Sequence, residues 1–118
     1  MQRVMLKSKI HRATLTGCDL SYEGSITLDG ELMEKADLLA GEQVHVLNLN
    51  NGRRFVTYTI AAPRGSGTVL LNGPAARLGA VGDQVIVLSY CQVTKQEATG
   101  WKATIVLVDE GNRPKKII

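Results

Sequence analysis

The chain has 118 residues, with 14 Lys plus Arg against 11 Asp plus Glu and a net charge of +3. That length suits one domain that buries a core without disulfides or metals. Two cysteines, Cys18 and Cys91, and two histidines, His11 and His45, exclude a disulfide framework and a structural zinc site.

In the first segment Val4, Leu6 and Ile10 share one parity, while Met5, Lys7, Lys9 and His11 share the other. A strand here would carry Lys9 and His11 on the same face. No apolar run follows this charged segment, and none approaches the roughly 20 residues that span a bilayer. Neither a signal peptide nor a membrane partner is therefore expected, and the predicted location is the cytoplasm. The positive charge is mild and scattered, and the aromatics are only Tyr22, Phe55, Tyr58, Tyr90 and Trp101. That is a poor platform for stacking bases, so no nucleic-acid partner is expected.

Next comes Tyr22-Glu23-Gly24-Ser25, a turn by composition, leading into a β-rich run over Ser25–Leu28. One helix is expected: Asp29 or Gly30 caps it, Leu32, Met33, Ala36 and Leu39 form its apolar stripe, and Gly41 stops it. Further strands are expected over Val44–Leu49, Phe55–Ile60, Val69–Leu71, Val85–Tyr90 and Thr104–Val108. His45 alternates with Val44 and Val46, so it belongs on an outer face. Turn signals stand at Asn51-Gly52, Gly65-Ser66-Gly67 and Asn72-Gly73-Pro74, the last followed by a short helical turn with Ala75, Ala76 and Leu78. The tail from Asn112 to Ile118, with Pro114 and two lysines, reads as frayed.

Gly41-Glu42-Gln43-Val44-His45-Val46 is echoed 41 residues later by Gly82-Asp83-Gln84-Val85-Ile86-Val87. A tandem duplication would produce this, and duplicated strand sets can close into a pseudo-symmetric barrel. Chance similarity of two Gly-acid turns is the alternative.

The chain lacks GxGxxG, GxxxxGK[ST], HExxH and GxSxG. His11 is a candidate general base, although a lone His is more often structural. Gly24-Ser25 has a chemical reading beside its reading as a turn. Glycine can hold a backbone that other residues cannot, so the bond after it can be strained, and the Ser25 hydroxyl could attack the Gly24 carbonyl.

Four stretches carry a resemblance: LKSKIHRATLTGCDLSYEGSITLD at Leu6–Asp29, NGRRFVTYTIAAPRGSG at Asn51–Gly67, LNGPAARLGAVGDQVIVLSY at Leu71–Tyr90, and IVLVDEGNRP near the end. Together they resemble the aspartate 1-decarboxylase family over nearly the whole chain. The resemblance implies a mainly β fold, a six-stranded double-psi β-barrel with short helices as the single domain 1–118, assembled as a homotetramer. It implies pyruvoyl-dependent conversion of L-aspartate to β-alanine and CO₂ through a Schiff base, for pantothenate and coenzyme A formation. The precursor would cleave itself between Gly24 and Ser25 into a β chain 1–24 and an α chain 25–118. The covalent pyruvoyl group would derive from Ser25, with no metal. A maturation helper protein is admitted as a further partner.

By the same resemblance, Thr57 stabilises the oxyanion of cleavage and Tyr58 donates the proton to Cα. Lys9 and Arg54 supply the cations for the substrate carboxylates. Thr57, Asn72, Gly73, Pro74 and Ala75 contact substrate, while His11 and Tyr22 support the pocket. Pro74 departs from the family's commoner Ala and removes an N–H donor. Gly17 and Cys18 replace more usual polar or small residues. An ideal strand puts Arg54 and Tyr58 on one face and Thr57 on the other, so one site needs a bulge, a twist or a subunit boundary there. The competing class is a non-catalytic barrel used for binding or assembly, which would run as one band on a denaturing gel.

Overall fold

In the computed structural model, which describes all 118 residues, alternating apolar and polar side chains become nine strands. These are β1 (Gln2–Thr14), β2 (Gly17–Asp19), β3 (Ser25–Asp29), β4 (Gln43–Asn48), β5 (Arg54–Ala62), β6 (Val69–Asn72), β7 (Gln84–Thr94), β8 (Thr104–Val108) and β9 (Pro114–Ile117). The helices are short: α1 (Gly30–Lys35), a 3₁₀ turn (Gly73–Leu78) and α2 (Lys95–Ala98). The fold is mainly β, as expected from the spacing of turn signals.

The strands form one sheet in the order β2-β6-β3-β5-β4-β7-β1-β8-β9, a hydrogen-bonded series with open ends rather than a closed six-stranded ring. Only Leu15 and Thr16 separate β1 from β2, yet the two strands stand six places apart in that order. Laid flat, six places would span about 29 Å, whereas the link reaches only about 10 Å. The sheet therefore curls, and the Thr16 N–H donates to the Val69 carbonyl at 2.8 Å.

The 41-residue echo has a structural counterpart. β4 and β7 pair antiparallel with Val46 opposite Val87, the equivalent residues of the two copies, so a local two-fold passes between them. Gly41 and Gly82 both have positive φ (85° and 95°), which glycine adopts without Cβ strain. Each donates to a crossing strand: Gly41 to the Thr59 carbonyl at 2.8 Å, Gly82 to the Leu15 carbonyl at 2.9 Å. Thr59 donates back to the Glu42 carbonyl, and Leu15 to that of Asp83. Two matching loop-and-strand crossings argue for duplication over chance.

Inside the curl, Ile10, Ile26, Leu28, Val44, Val46, Val69, Leu71, Val85, Val87 and Val106 are buried. β-branched residues dominate because their stiff side chains pack on a pleated surface. Cys18 and Cys91 are half-buried free thiols.

Three local expectations are corrected. The helix is shorter than its apolar stripe, because Asp37 turns left-handed (φ 55°) and the Leu38 N–H closes onto the Met33 carbonyl at 2.8 Å. Leu39 is 75% exposed and outside the core. The tail is not frayed: Pro114–Ile117 pairs with β8. Buried Asn112 anchors it, its Nδ2 donating to the carbonyls of Thr14 (2.8 Å) and Gly67 (2.9 Å) and its Oδ1 accepting from the Thr14 N–H. Pro114 is tolerated as the first residue of an edge strand. The third correction is α2, unexpected although its capping box, Thr94 with Glu97, was present as T-x-x-E.

Asp29 joins the fold to the site, since it ends the strand that Ser25 begins. It is fully buried and accepts from the N–H groups of Glu31 (2.8 Å), Gly65 and Gly67 (both 2.9 Å). Burial alone pushes its carboxyl pKa up, but the donors at Gly67, Glu31 and Gly65, with Arg113 nearby, hold it below the ordinary range. The folded pKa is thus depressed. Its stabilisation is complete above the unfolded value of about 3.9 and disappears as pH falls through the folded value. Asp29→Ala strands buried amide donors and uncaps α1, so a loss of about 2–4 kcal/mol is expected. Urea titrations at pH 7 and pH 3 check both points: the gap between wild type and variant should narrow in acid.

Candidate active site

Ser25 opens β3 opposite Asn72 of β6 and is fully buried. The Asn72 side-chain amide donates to Ser25 Oγ at 2.9 Å and to Thr27 Oγ1 at 2.8 Å. Ser25 and Thr27 are two apart, so they share the strand face that Asn72 reaches. The Ser25 hydroxyl donates in turn to the Glu23 carbonyl at 3.2 Å. An N–H aimed at the serine oxygen stabilises negative charge developing there.

The turn before Ser25 is pinned from the other side. Gly73 has φ 59°, and a Cβ there would sit 2.5 Å from the Tyr22 carbonyl oxygen and 2.7 Å from the Gly24 nitrogen. Gly73 is therefore the residue that must be glycine for backbone to meet backbone. Gly24 itself has no left-handed φ, so the backbone freedom of glycine is used at Gly73 rather than at Gly24. A Cβ on Gly24 would instead approach the Pro74 ring, at 3.3 Å. Pro74 stands in the first turn of the 3₁₀ segment, where the missing N–H leaves no ladder bond unmade.

Gly24, Phe55, Val56, Thr57, Pro74, Ala75 and Leu78 line a cavity of about 240 Å³. Of the residues singled out in the sequence, the fold thus gathers Gly24, Ser25, Thr57, Asn72, Gly73, Pro74 and Ala75. Tyr22 lies on the exposed turn beside them, with 54% of its surface in solvent.

The cationic residues lie elsewhere in the chain's own fold. β5 keeps unbroken register with β4 from Tyr58 opposite Gln43 to Arg54 opposite Leu47. No bulge rotates Thr57 toward its neighbours: Arg54, Val56 and Tyr58 face outward while Phe55 and Thr57 turn inward. Lys9 and His45 both pair with Leu88, so Lys9 stands on the same outer face. Arg54 Nη2 lies 3.2 Å from His45 Nδ1 and 3.2 Å from the Tyr90 hydroxyl. The His45 and Tyr90 rings meet edge-to-face at 5.0 Å. They line a second cavity, of about 430 Å³, with Val4, Gln43, Cys91 and Gln92.

His11 is half-buried and its Nδ1 has no hydrogen-bond partner. Burial lowers its pKa, and the Lys9 and Arg12 charges push the same way, both favouring the neutral ring. Sequence reasoning missed Thr27, His45 and Tyr90. The i, i+2 spacing from Ser25 pointed to Thr27, but the other two meet Arg54 only through strand pairing. No helix is long and apolar enough to cross a membrane, and no cluster of three or more His, Cys, Asp or Glu could hold a metal ion.

A family model described as aspartate decarboxylase matches residues 1–115. An aspartate 1-decarboxylase of Syntrophus aciditrophicus is 59% identical over 98% of this chain and 99% of its own length. One of Thermoanaerobacter pseudethanolicus is 55% identical over 97% of each. One of Chloroherpeton thalassium is 54% identical over 99% of this chain and 86% of its own.

Proposed function

The chain belongs to the aspartate decarboxylase family, whose members are carboxy-lyases, and from that premise we propose that it converts L-aspartate to β-alanine and CO₂ with a pyruvoyl group made from its own Ser25. The observation that carries this reading is the buried Ser25 hydroxyl, held by Asn72 one bond beyond a glycine pinned by Gly73 and Pro74.

Self-cleavage begins when Ser25 Oγ attacks the Gly24 carbonyl. The C–N bond breaks, leaving an ester and a free amine on residue 25. Loss of the Cα proton then expels the Gly24 carboxylate from Cβ. Residue 25 is left as dehydroalanine, which takes up water and releases ammonia. Thr57, in the cavity beside Gly24, supplies a hydroxyl to the oxyanion, a contribution of several kcal/mol in comparable sites. The group formed needs no more room than serine, so the packing around residue 25 accepts it.

The pyruvoyl ketone would take the substrate amine and draw off the electron pair left by CO₂. This chain's residues do the rest. Arg54 and Lys9 hold the carboxylates of the substrate, Tyr58 delivers a proton to Cα, and Asn72, Gly73, Pro74 and Ala75 wall the pocket. His11 and Tyr22 support it. Alternation along β5 sets Arg54 and Tyr58 on the face opposite Thr57, and a subunit boundary is one way to bring all three to one substrate. This favours assembly of several copies, a homotetramer by the resemblance. The tight Leu15-Thr16 link and the two-fold at Val46 and Val87 favour a double-psi barrel core for its domain, within a nine-stranded pairing order that is itself open-ended. The product would feed pantothenate formation in the cytoplasm, and the reading leaves room for a maturation helper protein as a further partner.

Intact mass tests the reading: two chains, 1–24 and 25–118, with the second lighter by one ammonia than a chain starting with serine. A single unmodified chain with no β-alanine formation would favour a binding module. The two chemical steps also separate. Tyr58→Phe keeps the ring but deletes the proton, so it should split normally. It should then make β-alanine about 10²–10⁴-fold more slowly per pyruvoyl group. Thr57→Val should split slowly or not at all. Full activity per pyruvoyl group in Tyr58→Phe would transfer the acid role to Tyr22 or a water molecule.

A further inference from the structure

We propose that His45 and Tyr90 are positioning residues that hold the Arg54 guanidinium ready for a substrate carboxylate. The inference rests on the reading of Arg54 as the carboxylate cation. An exposed arginine has many rotamers, and fixing one on binding costs affinity unless the protein has fixed it beforehand. Here Nη2, which carries two hydrogens, has an acceptor for each at 3.2 Å, His45 Nδ1 and the Tyr90 oxygen. The two rings brace each other edge-to-face at 5.0 Å, so neither acceptor moves freely. Nη1 and Nε keep their hydrogens, each available as a single donor to an oxygen of an incoming carboxylate, because both two-donor forks of the guanidinium run through Nη2.

The bond to Nδ1 sets the His45 tautomer: Nδ1 must be the bare nitrogen, with the proton on Nε2. The three residues come from three adjacent strands, β5, β4 and β7, so the arrangement is a property of the sheet rather than of one loop. His45 and Tyr90 line the 430 Å³ cavity, and Lys9 lies on the same face of the sheet, in register with His45 through Leu88.

The test compares processed enzyme carrying Tyr90→Phe, His45→Phe, His45→Asn and Arg54→Ala. KM for aspartate, kcat per pyruvoyl group and inhibition by succinate are measured. Succinate has both carboxylates but no amine, so its inhibition constant reports carboxylate recognition apart from the chemistry. Tyr90→Phe and His45→Phe should each raise KM and the succinate constant about tenfold, with kcat within about twofold. His45→Asn keeps an acceptor where Nδ1 was and should restore both to within about twofold of wild type.

If Arg54→Ala raises both constants while Tyr90→Phe and His45→Phe leave them unchanged, the positioning role is overturned and the reading of Arg54 stands. If Arg54→Ala itself changes neither, that reading fails and the inference with it. Tyr90→Phe removes a single exposed-side oxygen, so it reports even if His45→Phe does not fold.

Discussion

Ser25→Ala is expected to remain one chain of 118 residues under every condition that splits the wild type. The reason is chemical rather than structural. The site stays shaped: Ser25 is buried, and alanine removes only an oxygen that accepts from Asn72 and donates to the Glu23 carbonyl. The Asn72 amide keeps Thr27 Oγ1 as a partner at 2.8 Å, so only part of its hydrogen bonding is lost. A cost of about 1–3 kcal/mol is expected for the unpaired group, which a folded domain survives. What cannot survive is attack on the Gly24 carbonyl, because no hydroxyl remains. Intact mass after long incubation checks this, with circular dichroism to establish folding. Cleavage of folded Ser25→Ala at the same bond would sink the proposed route, since the nucleophile would then be water or another side chain.

Arg54→Ala is the second large effect, and it falls on the other half of the chemistry. The residue is on the outward face of β5, opposite Thr57, and makes no hydrogen bond to the Ser25–Asn72 cluster, so splitting should proceed. Decarboxylation should not. Removing one partner of a desolvated charge pair costs roughly 2–5 kcal/mol, or about 30- to several-thousand-fold in kcat/KM. The loss is read as kcat/KM for aspartate, normalised to pyruvoyl content so that processing cannot masquerade as catalysis. Near wild-type efficiency after complete splitting would remove Arg54 from the carboxylate site and leave Lys9 as its cation.

Much of this was legible from order along the chain. Alternation in Val44–Leu49 and Val85–Tyr90 specified strands because one face of each is buried, and a period of two is what a pleated surface demands. The Gly41 and Gly82 turns announced the duplication, since each precedes a strand after a helical or Ala-rich stretch. The stretch Tyr22–Ser25 and the run from Arg54 to Tyr58 pointed to the family through resemblance, and strand parity predicted that Thr57 would point away from Arg54 and Tyr58. The rest depended on partners distant in sequence. That Pro114–Ile117 is a strand follows from β8 offering it an edge, and that Asn112 is buried follows from bonds to Thr14 and Gly67. The glycine with an obligatory left-handed turn is Gly73 rather than Gly24, because it is Gly73 that meets the Tyr22–Gly24 backbone across the fold. Arg54 finds His45 and Tyr90 only because β4 pairs with both β5 and β7. Local pattern decides which residues form strands and which way each side chain points; strand pairing decides which side chains meet, because that choice is made between segments from nine to nearly 100 residues apart and leaves no periodic trace in either one.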